Sequence, residues 1–280
     1  MTVVDTHCHL DMVKKKGIAP AEALRRARER GVSALVQIAV DLKSSRRNRE
    51  WVQELQPLPE GLEYYWTAGI HPEGADDLSG LEETLALIRE CRDEPGFLGV
   101  GETGLDYFHT REFIANQKES FARHLEIARE LNLPVVLHLR DAREYDPSNI
   151  QTVTDALDMI REVGGVKGVL HCFTYSYEEA APFVDMGWFV SFSGILTYRN
   201  AEILRKTAVQ LPLDVLLTET DAPYLSPMPE RGKTNEPAFV AHTLEFLANL
   251  RAERLGENAE EVKARIHGNA LKFLNWKNES

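Results

Sequence analysis

Five of the nine histidines stand where their imidazole groups could bind a metal ion. His7 and His9 close the first predicted strand in the run Asp5-Thr6-His7-Cys8-His9, and side chains two residues apart on a strand point to the same side. Such a pair is a weak signal by itself, because it often arises by chance in a chain with this many histidines. Further histidines and carboxylates come directly after other predicted strands: His71, Glu102, His138, His171, Glu219 and Asp221.

Histidine, aspartate and glutamate together suit divalent ions such as Zn²⁺, Mn²⁺, Mg²⁺ or Ni²⁺. Four histidines with two or three carboxylates exceed the three or four protein ligands of a single zinc ion. A site with two ions about 3.5–4 Å apart, bridged by a carboxylate, would use them all. We expect Cys8 and Cys172 to pack rather than to bind metal, because their strand positions are out of phase with the histidines.

Eight short apolar runs, rich in Val, Leu, Ile and aromatic residues, predict the strands that carry these side chains. Several runs lack polar alternation, as expected of strands that are buried on both faces. The predicted strands are Thr2–Thr6, Ser33–Ala39, Tyr64–Gly69, Phe97–Gly101, Pro134–Leu137, Lys167–Leu170, Trp188–Ser193 and Asp214–Thr218.

Amphipathic stretches between these runs predict helices. Pro20–Arg30 begins with proline and is followed by Gly31, the residues expected at the two ends of a helix. The run Lys14-Lys15-Lys16 is interpreted as a solvated part of the loop after the first strand. The other predicted helices are Lys43–Leu55, Ser79–Glu94, Arg111–Leu131, Asn149–Val163, Tyr177–Met186, Ala201–Gln210, Ala238–Glu253 and Glu260–Leu274.

Eight strand–helix units in 280 residues average about 35 residues each, the size of the units of a (β/α)8 barrel. We therefore predict one TIM-barrel domain over residues 1–280, with a metal site at the C-terminal rim, where barrel active sites are built. A doubly wound open sheet is the alternative, because it uses the same alternation. The proline-rich stretch 224–237 is interpreted as a functional loop that leaves the last strand.

The composition excludes several classes of protein. The chain has 32 Lys and Arg against 44 Asp and Glu, a net charge of −12, which argues against binding nucleic acid through a broad basic face but allows a local patch. Three cysteines without framework spacing fit a reducing compartment. No apolar run approaches the length of a membrane span, and the start lacks the organisation of a signal peptide. We expect a cytoplasmic protein with no membrane association and no evident obligate protein partner.

The chain resembles the TatD family of metal-dependent deoxyribonucleases, within the amidohydrolase-like barrels. The resemblance covers nearly the whole chain, and eight motifs carry it in family order. They are Asp5-Thr6-His7-Cys8-His9-Leu10-Asp11, Gly69-Ile70-His71-Pro72, Gly101-Glu102-Thr103-Gly104-Leu105-Asp106, His138-Leu139-Arg140-Asp141-Ala142, His171-Cys172-Phe173, Ser191-Phe192-Ser193-Gly194, Glu219-Thr220-Asp221-Ala222-Pro223-Tyr224-Leu225 and Arg231-Gly232-Lys233-Thr234-Asn235-Glu236-Pro237.

The resemblance implies two divalent ions and a role for each candidate residue. His71 and Glu219 would lie near the substrate or support the ligands. Thr174-Tyr175-Ser176 stands where the family often has Ser-Gly, so substrate specificity is not transferred through that loop. The implied ligands are His7, His9 and Asp221 for one ion, His138 and His171 for the other, and Glu102 as the bridge.

The reaction that the resemblance implies is hydrolysis of phosphodiester bonds in DNA, with removal of nucleotides from an end. Asp221 would accept the proton of the attacking water, and Glu219 is the second candidate. Arg231 and Lys233 are candidates for binding phosphate, because the loop after the eighth strand of a barrel often does so. Arg140, in a loop predicted at the same rim, is a further candidate.

Two other functions stay open from the sequence. The same site could hydrolyse an ester or an amide, for example by deacylating a mischarged tRNA or opening a small cyclic amide, because a fold does not dictate its substrate. A metal-bound regulatory or scaffolding protein without turnover is the third hypothesis. A complete ligand set that includes a potential base disfavours it.

Overall fold

The structure is a computed structural model, and it describes residues 2–109, 111–141 and 151–276. Strands and helices alternate along these residues. The strands are β1 (Val3–Cys8), β2 (Val32–Gln37), β3 (Glu63–Ala68), β4 (Phe97–Asp106), β5 (Val135–Arg140), β6 (Gly168–Leu170), β7 (Phe189–Phe192) and β8 (Leu216–Thr218). The helices are α1 (Leu10–Lys15), α2 (Pro20–Glu29), α3 (Leu42–Glu54), α4 (Leu81–Cys91), α5 (Ile114–Leu131), α6 (Gln151–Val163), α7 (Tyr177–Asp185), α8 (Glu202–Gln210), α9 (Val240–Leu255) and α10 (Ala259–Leu274).

The strands belong to one sheet, in which their order is the order of the chain. The strand pairs β1–β2, β3–β4, β4–β5, β5–β6 and β7–β8 are parallel. Cys8, at the end of β1, pairs in parallel with Ala222, which follows β8. Sequential parallel strands with intervening helices confirm the predicted (β/α)8 barrel. A doubly wound sheet would reverse its strand order at a switch point, so that alternative is wrong.

The chain divides into two compact units. The first comprises the residues up to Gln37, the segment Gln53–Tyr65 and the segment Cys172–Asn275. In it, α10 packs against β1, β8 and α9. The side chain of Asn258 accepts hydrogen bonds from the first backbone amides of α10, and Val262, Ile266 and Phe273 form its buried face. This helix is therefore anchored at its start and along its length.

The second unit comprises Ile38–Val52, the described part of Trp66–His171, and Trp276. Its central feature is the close contact of β4 with β5. Gly101 and Gly104 both have a φ of 143°, and an added Cβ would lie 2.8 Å from the Val136 carbonyl oxygen and 2.0 Å from the His138 carbonyl oxygen. Only glycine fits such positions. The two glycines allow β4 to place its side chains directly beside those of β5.

All eight predicted strands are present, but three end later than the sequence predicts. β1 runs to Cys8, β4 to Asp106 and β5 to Arg140. Glu102 and His138 therefore lie within strands rather than after them. The prediction ended the fourth strand at Gly101. Glycine usually weakens a strand, but here its lack of a side chain permits the pairing to continue.

The predicted helices are confirmed to within about two or three residues at most ends. Asn149 and Ile150, at the predicted start of one of them, lie outside the described residues. The run Lys14-Lys15-Lys16 is exposed to solvent, as predicted, but its interpretation as part of a loop is wrong. Lys14 and Lys15 form the last turn of α1, where their charges face the negative end of the helix dipole, and Lys16 caps it. A six-residue helix is too short to give a periodic signal in the sequence.

The three cysteines are free thiols, and Cys8 and Cys91 are buried. Of the helices within the described residues, none combines the length and the apolar character that crossing a membrane requires.

Candidate metal centre

A first group of metal-binding side chains, here called the His7 cluster, consists of His7, His9 and Asp221. The Nε2 atoms of the two histidines lie 3.2 Å apart. The Asp221 Oδ1 atom lies 3.7 Å from Nε2 of His7 and 3.6 Å from Nε2 of His9. Both histidines are buried. Three donor atoms thus converge on one point, at the end of β1 and just after β8.

Backbone hydrogen bonds hold the two segments of this cluster together. The Asp221 amide donates to the His7 carbonyl, and the His9 amide donates to the Ala222 carbonyl, both at 2.9 Å. Beneath them the buried Asp5 carboxylate accepts hydrogen bonds from the backbone amide and the hydroxyl of Thr220, at 2.8 and 2.6 Å. Burial raises the pKa of Asp5 to about 8, although the bonds from Thr220 oppose the shift.

A second group, here called the His138 cluster, consists of His71, Glu102, His138 and His171. Nδ1 of His138 lies 2.8 Å from Glu102 Oε1, 3.2 Å from His71 Nε2 and 3.3 Å from His171 Nε2. Glu102 Oε1 is also 2.7 Å from His171 Nε2 and 3.5 Å from His71 Nε2. The imidazoles therefore surround one buried carboxylate oxygen. The prediction placed His71 near the substrate or in support of the ligands. In the structure its Nε2 atom faces the same point as the neighbouring donors.

The burial of the His138 cluster controls the charge of its imidazoles. Burial, together with repulsion from His138, lowers the pKa of His71 to about 3, so its ring is neutral at physiological pH. Burial also acts against the protonated form of His138, but hydrogen bonds to Asp106 and Glu102 outweigh it and raise the pKa of His138. A neutral imidazole has the lone pair that a metal ligand needs.

The spacing within both clusters fits divalent metal ions. Two ligands bonded to one ion at about 2.1 Å in a tetrahedral arrangement hold their donor atoms about 3.4 Å apart. The nitrogen pairs of the two clusters lie at 3.2–3.3 Å. Imidazole nitrogens at this distance from one another, with a carboxylate oxygen 2.7–3.7 Å from them, have the chemistry and the convergence that such an ion requires.

Asp106 is the residue of the second unit whose role the sequence left undefined. Its Oδ2 atom lies 3.1 Å from Nε2 of His138, the ring nitrogen that faces away from Glu102. Burial alone would raise its pKa, but hydrogen bonds from His138 and His109 lower it below the usual range. The sequence could have indicated this role, because Asp106 stands four residues after Glu102 on the same strand, which places both side chains on one face.

Glu219 and the cysteines take part in packing and hydrogen bonding rather than in either cluster. Glu219 is buried, and its Oε1 atom accepts a 2.7 Å hydrogen bond from the Cys172 amide. The Cys172 thiol lies 3.2 Å from the Ser193 hydroxyl, and the Cys8 thiol contacts the Val36 carbonyl. Among the described residues, the groups that could hold a metal contain no cysteine.

The three candidate phosphate-binding cations all have partners within the protein. The Arg231 guanidinium lies over the Tyr198 ring, and that of Arg140 over the Phe108 ring, each at 3.9 Å from the ring centroid. Lys233 Nζ lies 2.5 Å from Glu230 Oε2, but the lysine side chain is 69% exposed. These contacts orient the cations and leave them accessible to a ligand.

The loop that carries Arg231 and Lys233 is closed at its base by Asn235. The Asn235 side-chain amide donates to the carbonyls of Thr220 and Tyr224, at 2.8 and 2.5 Å, and its backbone amide donates to the Pro223 carbonyl at 3.1 Å. Asn235 is fully buried. The loop thus returns to the segment that carries Asp221.

The chain is similar to known metal-dependent hydrolases over nearly its whole length. The TatD related DNase family matches residues 4–275. A protein of Escherichia coli (strain K12), named uncharacterized metal-dependent hydrolase YcfH, is 40% identical over 264 residues, which cover 93% of this chain and 92% of the relative. An Erwinia tasmaniensis protein, named 3'-5' ssDNA/RNA exonuclease TatD, is 34% identical over 260 residues, covering 91% and 93%. The crystal structure of YjjV, a TatD homolog from Escherichia coli K12, has a TM-score of 0.80 at 26% identity and covers 98% of both chains. The chain belongs to the TatD family of metal-dependent hydrolases.

Proposed function

We propose that this chain is an exonuclease that removes nucleotides from the ends of single-stranded DNA. The observation that carries the proposal is the pair of clusters, in each of which imidazole nitrogens and a carboxylate oxygen converge at the spacing of metal ligands. The Erwinia relative, whose name describes a 3'-5' ssDNA/RNA exonuclease, supports this choice of substrate. The cytoplasm is the compartment that we propose for this activity, since the cysteines are free thiols.

We propose two divalent ions per chain, one for each cluster. His7, His9 and Asp221 are the proposed ligands of one ion, and His138 and His171 those of the other. The bridging role that the family resemblance implies for Glu102 stays a prediction. Bound divalent ions would lower the pKa of water toward neutrality and polarise a phosphoryl oxygen. Mixed nitrogen and oxygen ligands suit Mg²⁺, Mn²⁺, Zn²⁺ or Ni²⁺.

The protein's own part in the reaction is to move a proton and to hold the substrate. We propose that Asp221 accepts the proton of the attacking water, because its carboxylate is 15% exposed and reachable from solvent, whereas Glu219 is fully buried and already accepts the Cys172 amide. Arg231, Lys233 and Arg140 are the proposed phosphate contacts, with His71 beside the substrate.

A cleavage assay tests the proposed function. Metal-loaded protein is incubated with single-stranded DNA labelled at the 5' or the 3' end, duplex DNA, RNA, an aminoacyl-tRNA and a cyclic amide, with chelator-treated protein as the control. We expect stepwise, metal-dependent shortening of single-stranded DNA. Release of the amino acid or opening of the cyclic amide, with intact DNA, would instead establish the ester or amide hydrolase. Metal binding without any cleavage would favour the scaffold.

We expect the protein to bind two equivalents of a divalent ion, because each cluster supplies its own convergent donors. Elemental analysis after equilibration with excess ion and desalting measures this. Affinity should fall as the pH drops, because a protonated imidazole cannot coordinate, and His138, whose pKa, in spite of its burial, is raised by hydrogen bonds to Asp106 and Glu102, should lose its lone pair early in that fall. His267→Gln, outside both clusters, is the matched control. One equivalent at saturation would contradict the assignment.

Arg231 and Lys233 should each contribute one phosphate contact to the binding of single-stranded DNA. Loss of one contact lowers the slope of log affinity against log salt concentration by about 0.7 for a single strand. Arg231→Ala and Lys233→Ala should weaken all sequences alike, since phosphate contacts do not read bases. A salt titration in an inactive background measures this, with the exposed Lys15→Ala as the control. Unchanged slopes in both variants would show that the loop does not hold the backbone.

A further inference from the structure

The two ring nitrogens of His138 face different groups. Nδ1 faces the His138 cluster, 2.8 Å from Glu102 Oε1 and 3.3 Å from His171 Nε2. Nε2 lies 3.1 Å from Oδ2 of Asp106, a carboxylate that is completely buried. A neutral imidazole has one N–H donor and one lone pair. Glu102 and Asp106 therefore compete for the single proton of the neutral ring, and Asp106 draws that proton away from the cluster.

Asp106 is held rigidly in this position. Its Oδ1 atom accepts hydrogen bonds from the backbone amides of Phe108 and His109, each at 2.9 Å. Gln117 on α5, also buried, accepts from the Asp106 amide at 2.9 Å and donates to its carbonyl at 3.0 Å. With Oδ1 occupied by two amides, Oδ2 is the oxygen that faces the imidazoles of His138 and His109.

We propose that Asp106 is a positioning residue that selects the tautomer of His138. Asp106 Oδ2 accepts a hydrogen bond from Nε2–H, which leaves the lone pair on Nδ1 directed at the His138 cluster. The inference rests on the proposed role of His138 as a metal ligand. A carboxylate that fixes the tautomer of a ligating histidine also increases the basicity of that ligand, and losing it typically costs about 10- to 100-fold in metal affinity.

The substitution Asp106→Asn has an outcome that the hydrogen bonds dictate. The backbone amides of Phe108 and His109 need an acceptor, so the side-chain carbonyl takes the place of Oδ1. The amide nitrogen then takes the place of Oδ2 and donates to Nε2 of His138. The ring must carry its proton on Nδ1, where it blocks the lone pair. Asp106→Ala removes the partner of Nε2, so no donor on that side of the ring excludes the tautomer with its lone pair on Nδ1.

Imidazole ¹⁵N chemical shifts report the tautomer directly, at a pH at which a titration shows the His138 ring to be neutral. They are measured in metal-free Glu102→Ala protein, because the Glu102 carboxylate, 2.8 Å from Nδ1, would otherwise compete with Asp106 for the proton. We expect a protonated Nε2 in this background and a protonated Nδ1 when Asp106→Asn is added to it. Asp155→Asn, a carboxylate-to-amide change in the same unit, should leave the shifts of His138 unchanged. A protonated Nδ1 in Glu102→Ala alone would overturn the proposal.

Affinity for Zn²⁺, measured by competition with a chelator, separates positioning from a structural role. We expect a loss of about 10- to 100-fold in Asp106→Asn and a smaller loss in Asp106→Ala. If Asp106 had only a structural role, Asp106→Ala would lose more Zn²⁺ affinity than Asp106→Asn, because asparagine preserves the shape of the aspartate side chain. A larger loss of Zn²⁺ affinity in Asp106→Ala than in Asp106→Asn overturns the proposal. An unchanged His138 tautomer in Asp106→Asn overturns it as well. His138→Ala tests the ligand role separately: undiminished Zn²⁺ binding there would contradict the proposed function, while the shifts would still report on Asp106.

Discussion

Asp221→Asn should lower kcat by about 10²- to 10⁴-fold, the usual contribution of general acid–base catalysis. Asparagine keeps the size of the side chain but can neither accept a proton from water nor supply a negative charge to the His7 cluster. Turnover of end-labelled single-stranded DNA measures the effect. Metal content measured in parallel separates a lost ligand from a lost base, since a lost base alone leaves the metal in place.

Two further variants make the result for Asp221 specific. Asp214→Asn changes a carboxylate of the same unit that is 62% exposed and pairs with Arg265, so it should retain normal turnover. Glu219→Gln should reduce turnover less than Asp221→Asn does. Normal turnover by Asp221→Asn together with an inactive Glu219→Gln would show that the two roles are reversed.

Glu102→Ala should remove nearly all bound metal if the carboxylate bridges both ions, and activity should fall at least as far as in Asp221→Asn. The Glu102 carboxylate is the negative charge that the three imidazoles of the His138 cluster surround. Its loss leaves those nitrogens without an anion between them. Elemental analysis at saturating ion concentration measures the metal content.

His171→Ala is the matched comparison for Glu102→Ala, because both residues lie in the same cluster. It should lose mainly one of the two ions. Equal metal content in the two variants would contradict the bridging role. The fold should persist in both, since residues at the C-terminal rim of a barrel serve function rather than packing, and far-UV circular dichroism checks this.

The fold was predictable because apolar runs mark buried strands whatever their tertiary surroundings. The ends of the strands were not, and β4 shows the reason. Gly101 and Gly104 resemble strand breakers in the sequence, yet they are required where β4 approaches the backbone of β5. The need for glycine at these positions comes from residues of β5 that lie about 35 positions away along the chain. The sequence around the glycines therefore does not reveal it.

The candidate site was predictable in its residue types and less so in its contacts. His7 and His138 lie near the ends of strands, His9 and His171 follow strands, and the structure brings all four into the two clusters. The direction in which each ring nitrogen points was beyond the sequence, because it depends on partners such as Asp106. The stacking of Arg231 on Tyr198 was unpredictable for the same reason, since it joins two distant loops.

The base and the tip of the loop closed by Asn235 should tolerate sequence change to different degrees. Asn235 joins the loop's two ends through buried hydrogen bonds, while Arg231 and Lys233 lie at its exposed tip. Insertions or substitutions at a tip of this kind alter few buried contacts, so they are tolerated far more readily than changes at the base. Asp221 would keep its position while the tip diverges. Relatives can thus acquire new substrates through the length and charge of this loop, with the same chemistry beneath it.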